Sequence, residues 1–247
     1  MMMSAKPKES KTIPSKDPKA KPVVFKGRDG LGAYIHDPAA FSPATVIFYD
    51  ESYVAIKDLF PKSSVHTLIL PRSPRMSLLH PFNAFEDADF LAATQVEANK
   101  LRALVAKELR RRYGKFSKQD QVREQALNGE IEVPESEDLP AGRDWEKDVM
   151  VGVHAHPSMG HLHVHVISRD RCSERMKNRN HYNSFTTPFF VPLDAFPLPR
   201  DDPRRHPGRE GYLNRDLKCW RCGEEFGRSF VKLKEHLAVE FEEWKRE

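Results

Sequence analysis

In His161-Leu162-His163-Val164-His165-Val166-Ile167 three imidazoles alternate with apolar residues and run into a β-branched pair. Side chains alternate along a strand. The spacing therefore predicts a strand with all three histidines on one face, while Leu162, Val164 and Val166 enter the core. Imidazoles set roughly 6 to 7 Å apart in this way can hold a tetrahedral phosphate, act as a nucleophile or ligate a metal. Five of the eleven histidines lie between positions 154 and 165, a clustering that isolated solvated or core imidazoles would not produce.

Just upstream, residues 151–160 read as a second strand followed by a Pro/Gly turn, so the two strands form a hairpin. Pairing brings His154 toward the triad and leaves Ser158 in the turn, facing whatever the triad holds. Zinc is the rival occupant, because alternating histidines on a strand also bind that ion; against it, the motif itself contains no Asp, Glu or Cys.

The form Gly-Val-His154-Ala-x-Pro-Ser158-Met-x-x-Leu-His163-Val-His165 resembles the histidine-triad nucleotide hydrolases and transferases, and among them the aprataxin branch. The resemblance implies an α+β fold with an antiparallel sheet and packed helices. It also implies a covalent mechanism, in which His163 attacks a nucleotide α-phosphorus and water then hydrolyses the nucleotidyl-imidazole. For that, His163 must be neutral with one free ring nitrogen, its other nitrogen donating to a backbone carbonyl. Charge developing on the phosphoryl oxygens must meet donors already in place, for which His165, the Ser158 hydroxyl and turn amides are candidates. His154 is placed to shuttle a proton, a role of less weight where the leaving group is a 5′-phosphate. His161 reads as structural, since the resembled branch does not depend on that position.

Three further strands are predicted at 45–49, 53–58 and 65–71, with turns at 50–52 and 60–64. In the resembled family the matching segment forms the nucleotide pocket; here it is Val54-Ala55-Ile56-Lys57-Asp58 with Phe60-Pro61-Lys62-Ser63 and His66. A carboxylate such as Asp58 suits paired ribose hydroxyls, and Lys62 reaches a phosphate.

Cys219-Trp220-Arg221-Cys222, then thirteen residues, then His236 and Glu240 has the spacing of a small zinc fold. Phe230, Leu233, Leu237, Phe241 and Trp244 recur with helical period, and on that helix His236 and Glu240, four apart, share a face. The expected ligands of a structural Zn²⁺ are two thiolates, one imidazole and the Glu240 carboxylate, with water or another residue as the alternative to Glu240. Residues 217–244 resemble the C-terminal finger of fungal aprataxins.

With two of three cysteines assigned to that knuckle, only Cys172 is left and no disulfide framework is available, which points to a reducing compartment. The sequence has no run of eighteen apolar residues and no signal-peptide core, so neither a membrane span nor secretion is expected. The net charge of +4 is unevenly spread: residues 1–28 carry eight Lys/Arg against two acids, and the rest is slightly acidic. A grip on DNA must then come from a local patch, for which Lys62, Lys177, Arg179, Lys218, Arg221, Arg228, Lys232 and Lys234 are available.

Residues 1–27 read as a basic tail unable to bury enough apolar surface to fold. Residues 28–197 read as the catalytic domain, 198–211 as a linker and 212–247 as the finger. Residues 30–41 suggest a short amphipathic helix; the family wedges an aromatic side chain from this region against a terminal base pair, for which Phe25 and Tyr34 are candidates, with Gly27 the alternative occupant of the matching place. Residues 83–113 give one long helix, with Phe85, Phe90, Leu91, Val96, Leu101, Leu104 and Leu109 as core contacts. Residues 114–146 form an irregular insertion. Residues 176–185 resemble the branch's DNA-facing loop, with Lys177 as the phosphate contact.

The resemblance thus implies a nuclear, monomeric repair hydrolase that removes AMP from 5′-adenylated ends at nicks and breaks in double-stranded DNA. A scavenging hydrolase of small adenylates or phosphoramidates would use the same triad without needing a finger. A non-catalytic nucleic-acid-binding module would keep the finger and tolerate the loss of His163.

Overall fold

The structure, a computed structural model, describes residues 11–13, 23–134 and 136–247. β1 (Lys11–Ile13) and β2 (Val23–Phe25) pair antiparallel, so part of the segment expected to stay unfolded forms a short ribbon; residues 1–10 and 14–22 of that tail lie outside the described residues. There follow α1 (Gly32–His36), β3 (Val46–Tyr49), β4 (Tyr53–Lys57) and β5 (His66–Pro71). A proline at the first position opens α2 (Pro81–Ala84), where no helical donor is needed. The Asp87 carboxylate caps α3 (Ala88–Tyr113) by accepting the Phe90 N–H at 3.0 Å.

The insertion is less irregular than expected, because Ser117 caps a ten-residue helix, α4 (Lys118–Leu127). β6 (Val149–His154) and β7 (Val164–Ser168) then form the expected hairpin, Asn178 caps α5 (Arg179–Thr186), and β8 (Phe190–Pro192) pairs with β6. α6 (Pro207–Glu210) precedes the finger, which consists of β9 (Leu217–Lys218), β10 (Glu225–Gly227) and α7 (Phe230–Arg246).

The main sheet is antiparallel throughout, in the order β3-β4-β5-β7-β6-β8. Period-two alternation sorts its side chains. Tyr53, Ala55, Ile69, Val153, Val164 and Val166 join one core cluster with Leu91, Leu101, Val105 and Leu109 of α3. Val54, Ile56, Leu68 and Leu70 pack on the other face with Leu31 and Tyr34. By the same parity His66, His154 and His165 fall on the face away from α3. Gly152 sits opposite His165, and a Cβ there would collide with the Val191 carbonyl and the Phe190 ring, so glycine lets β8 close against β6.

Two expectations for α3 are corrected. Its buried stripe is Leu91, Thr94, Ala98, Leu101, Val105, Ala106 and Leu109, whereas Val96 and Leu104 are 55% and 43% exposed. Stepping by three and four from Leu91 bypasses both positions. The finger, in turn, is fastened by packing as well as by the chain. Trp244 of α7 is buried in the sheet's own core cluster and donates its Nε1–H to Asp148 at 2.8 Å. Arg143, at the end of the insertion, lies over the rings of both Trp145 and Trp244. Among the described residues no helix is long and apolar enough to cross a membrane.

Candidate active site

β7 begins only at Val164, so His161 and His163 belong to the turn leading into it, not to the strand expected to carry all three histidines. That break redirects two imidazoles. The His163 ring turns back on its own turn, and its Nδ1 donates to the His161 carbonyl at 2.8 Å. The hydrogen is thereby held on Nδ1 and Nε2 is left bare. The His161 ring instead packs edge-on against Phe25, and Gly32 makes room for both, since a Cβ there would strike both rings.

His165 stays on the strand and meets His66 across the β5–β7 pair, Nε2 of His66 lying 2.9 Å from Nδ1 of His165. The Lys62 backbone N–H donates to Nδ1 of His66 at 3.2 Å, which leaves the neutral His66 hydrogen on Nε2. His66 therefore donates to His165, and His165 carries its own hydrogen on Nε2. That nitrogen and Nε2 of His154 are both buried, and neither has a hydrogen-bond partner among the described residues. The His154 and His165 rings lie 4.5 Å apart, and Phe185 packs against His66, His154 and His165.

Burial holds all four imidazoles neutral. It brings His66 down to about 4 against the opposing pull of Asp58. His163 is lowered by burial, with the His161 carbonyl and Asp58 pulling the other way. For His154 and His165 burial is again the largest cause, and neighbouring imidazoles push the same way. The result is one uncharged nucleophilic nitrogen beside one uncharged N–H donor.

Asp58 Oδ2 lies 3.4 Å from Nδ1 of His66, and Oδ1 accepts the Phe60 N–H at 2.7 Å. Asp58, His66 and His165 are close enough to share a metal ion. However, two imidazoles on one tetrahedral zinc stand about 3.3 Å apart, given Zn–N bonds of about 2.0–2.1 Å. The 2.9 Å separation found here is that of a hydrogen bond. Lys62 reaches the Phe60 carbonyl with its Nζ; burial is the largest cause lowering its pKa, and Arg175 and Lys177 add to it against Asp58. Ser158 is exposed in the turn between β6 and β7.

Other expected site residues lie elsewhere. Ser63 is buried with its hydroxyl turned to Arg171, accepting that residue's backbone N–H at 3.2 Å, so it faces the interior and not a nucleotide. Tyr34 is buried against Phe41, ring centroids 4.3 Å apart, which removes it as a wedge. Phe25 is half-buried beside His161 and His36. Lys177 is exposed just ahead of α5, and Arg175, which sequence reasoning passed over, stands 5.6 Å from the exposed ring of Phe60. Lys62, Arg175 and Lys177 thus form one basic rim.

In the finger, ligand atoms of Cys219, Cys222, His236 and Glu240 lie within 4.8 Å of one another. Two thiols, an imidazole and a carboxylate at this spacing fit tetrahedral zinc. Arg221, expected on DNA, is instead tied to Glu240 at 2.7 Å and to Glu247 at 2.6 Å. Lys218 is exposed, 3.8 Å from Glu225.

Comparison with known proteins gives the family. The HIT domain family matches residues 40–172, and a family described as C2HE / C2H2 / C2HC zinc-binding finger matches residues 186–243. Fold and site define a HIT-domain protein with a fused zinc finger. An aprataxin-like protein of Schizosaccharomyces pombe is 36% identical over 217 residues, covering 88% of this chain and 82% of its own. An aprataxin-like protein of Saccharomyces cerevisiae is 34% identical over 224 residues, covering 87% and 95%. The solved structure described as aprataxin ortholog Hnt3 in complex with DNA superposes with a TM-score of 0.66 at 32% identity, over 88% of this chain and 96% of that one. The chain belongs to the aprataxin-like family of HIT-domain proteins.

Proposed function

We propose that this protein hydrolyses 5′-adenylated DNA ends, releasing AMP and a 5′-phosphate that can be ligated. The observation that carries the reading is the bond from Nδ1 of His163 to the His161 carbonyl, which bares Nε2 of a buried, neutral imidazole. A bare nitrogen of this kind is a nucleophile toward phosphorus.

In the first step Nε2 of His163 forms a bond to the α-phosphorus of the adenylate, and the bond to the bridging oxygen breaks. The DNA 5′-phosphate leaves with that electron pair and needs little help from an acid. Nε2–H of His165 and the Ser158 hydroxyl stabilise charge on the phosphoryl oxygens. Asp58 accepts from the ribose hydroxyls and Lys62 serves a phosphate. In the second step water attacks the adenylyl-imidazole, Nε2 of His154 takes up the proton, and AMP leaves with the His163 nitrogen restored. The three imidazoles are neutral before substrate arrives.

Specificity for DNA rests on the basic rim of Lys62, Arg175 and Lys177, with Phe25 and Lys218 as further contacts. The relative described as an Hnt3–DNA complex supports DNA as the partner. Zinc held by Cys219, Cys222, His236 and Glu240 supplies structure and no chemistry. We place the protein in the nucleus, acting as a monomer.

The test is AMP release from a 5′-adenylated nicked duplex beside release from a small adenylate. Preference for the duplex supports the reading. Comparable rates would favour a scavenging hydrolase, and DNA binding without release would favour a binding module.

A further inference from the structure

Arg171 is a buried cation with only neutral hydrogen-bond partners. It is 3% exposed and makes no ion pair with a carboxylate among the described residues, where buried charges are ordinarily paired. Its guanidinium donates to the Ser168 carbonyl at 3.0 Å, the Phe185 carbonyl at 3.0 Å and the Ser63 hydroxyl at 3.4 Å, and lies 2.7 Å from the Met150 sulfur. Nε has no partner among the described residues. The backbone adopts φ 54°, which side chains other than glycine rarely take. Asp170, the adjacent acid, spends its carboxylate on Ser64, Ser168 and the Cys172 N–H.

These partners surround the histidines. Met150 is on the strand of His154, Ser168 on the strand of His165, Ser63 lies in the loop entering the strand of His66, and the Phe185 ring packs on all three imidazoles. We propose that Arg171 is a positioning residue. It ties these four segments together around the His66–His165 pair, and its cation stands on the His66 side of that pair, so that His66 keeps donating to His165 and His165 offers one N–H to the phosphate. The inference rests on the hydrolase reading for its consequence in turnover.

The charge balance around the pair explains the sign. Burial is the largest cause opposing protonation of both; beside it Lys62, Arg171 and His163 oppose protonation of His66 and Asp58 favours it, while His165 is opposed by His154, His163, His66 and Lys62. Arg171 itself remains charged at neutral pH, burial having brought it down only to about 10. Without that charge Asp58 gains ground. His66 then protonates at higher pH, and a hydrogen on its Nδ1 abolishes the bond from the Lys62 N–H.

The experiment compares Arg171→Met, Arg171→Gln and Arg171→Lys with the unaltered protein. It records the pH profile of AMP release from an adenylated nick and the NMR titration of His66, for each variant shown to be folded by circular dichroism. For Met and Gln, the acidic limb and the His66 titration both move to higher pH. Lys, which keeps the charge but not the planar fork, leaves the limb in place while slowing turnover. A folded Met or Gln variant that turns over slowly with both curves unmoved would reduce Arg171 to a structural plug and overturn the proposal. If the unaltered protein releases no AMP, the hydrolase reading fails, while the His66 titration still decides the role of the charge.

Discussion

Nε2 of His66 and Nδ1 of His165, on neighbouring strands, lie 2.9 Å apart, and the Lys62 backbone N–H at the far side of His66 fixes which of the two carries the shared hydrogen. This relay sets the tautomer of the phosphate donor. In His66→Phe the ring is kept in shape but has no hydrogen to give, so His165 is free to take the wrong tautomer. AMP release falls by about 10²-fold or more, with the fold retained by circular dichroism. Turnover within twofold of the unaltered protein would exclude the relay.

Four imidazoles held neutral by burial tie stability to pH. Each has a folded-state pKa below the ordinary 6.5 or so of an unfolded chain. On acidification the unfolded chain therefore takes up protons first. The stability they contribute is fully present above about pH 6.5 and drains away as pH falls toward about 4, where His66 titrates. Thermal unfolding should occur at a clearly lower temperature at pH 5 than at pH 7, and His66→Phe should flatten the dependence. Equal midpoints at the two pH values would contradict neutral burial.

The rim of Arg175 and Lys177 should act on binding and not on chemistry. With both changed to Ala, KM for an adenylated nick rises about tenfold, and each cation lost makes the plot of log affinity against log salt shallower by about one. Hydrolysis of a small adenylate stays the same. An unchanged salt slope would place the DNA elsewhere.

Arg221 belongs to the metal site by its pairing with Glu240. Partners that orient metal ligands typically matter by 10- to 100-fold in affinity, so Arg221→Ala should weaken zinc retention by about tenfold in competition with a chelator. DNA affinity of the zinc-loaded protein should barely change. The opposite pattern would return Arg221 to the DNA surface.

Much of this was legible because it is local. The hairpin of β6 and β7 follows from alternation and a Pro/Gly turn, and the zinc ligands follow from thiol spacing and a helical i, i+4 pair. What escaped depends on distant segments. The pairing of His66 with His165 needs the β5–β7 register, and Arg171 gives no signal in sequence because its meaning lies in four carbonyl, hydroxyl and sulfur partners from separate elements. Tyr34 and Arg221 were misplaced for the same reason. An aromatic on a short helix and an arginine in a knuckle look available until Phe41 and Glu240 are seen to occupy them.

The most direct test is to mix the protein rapidly with a 5′-adenylated nicked duplex in the presence of chelator, quench in alkaline denaturant that preserves a phosphorus–nitrogen bond, and locate any adduct by peptide mass spectrometry. The account predicts one AMP residue on His163, absent from His163→Asn, which also releases no AMP while still binding the nick. AMP release at normal speed with no adduct, or with His163 replaced, would contradict it.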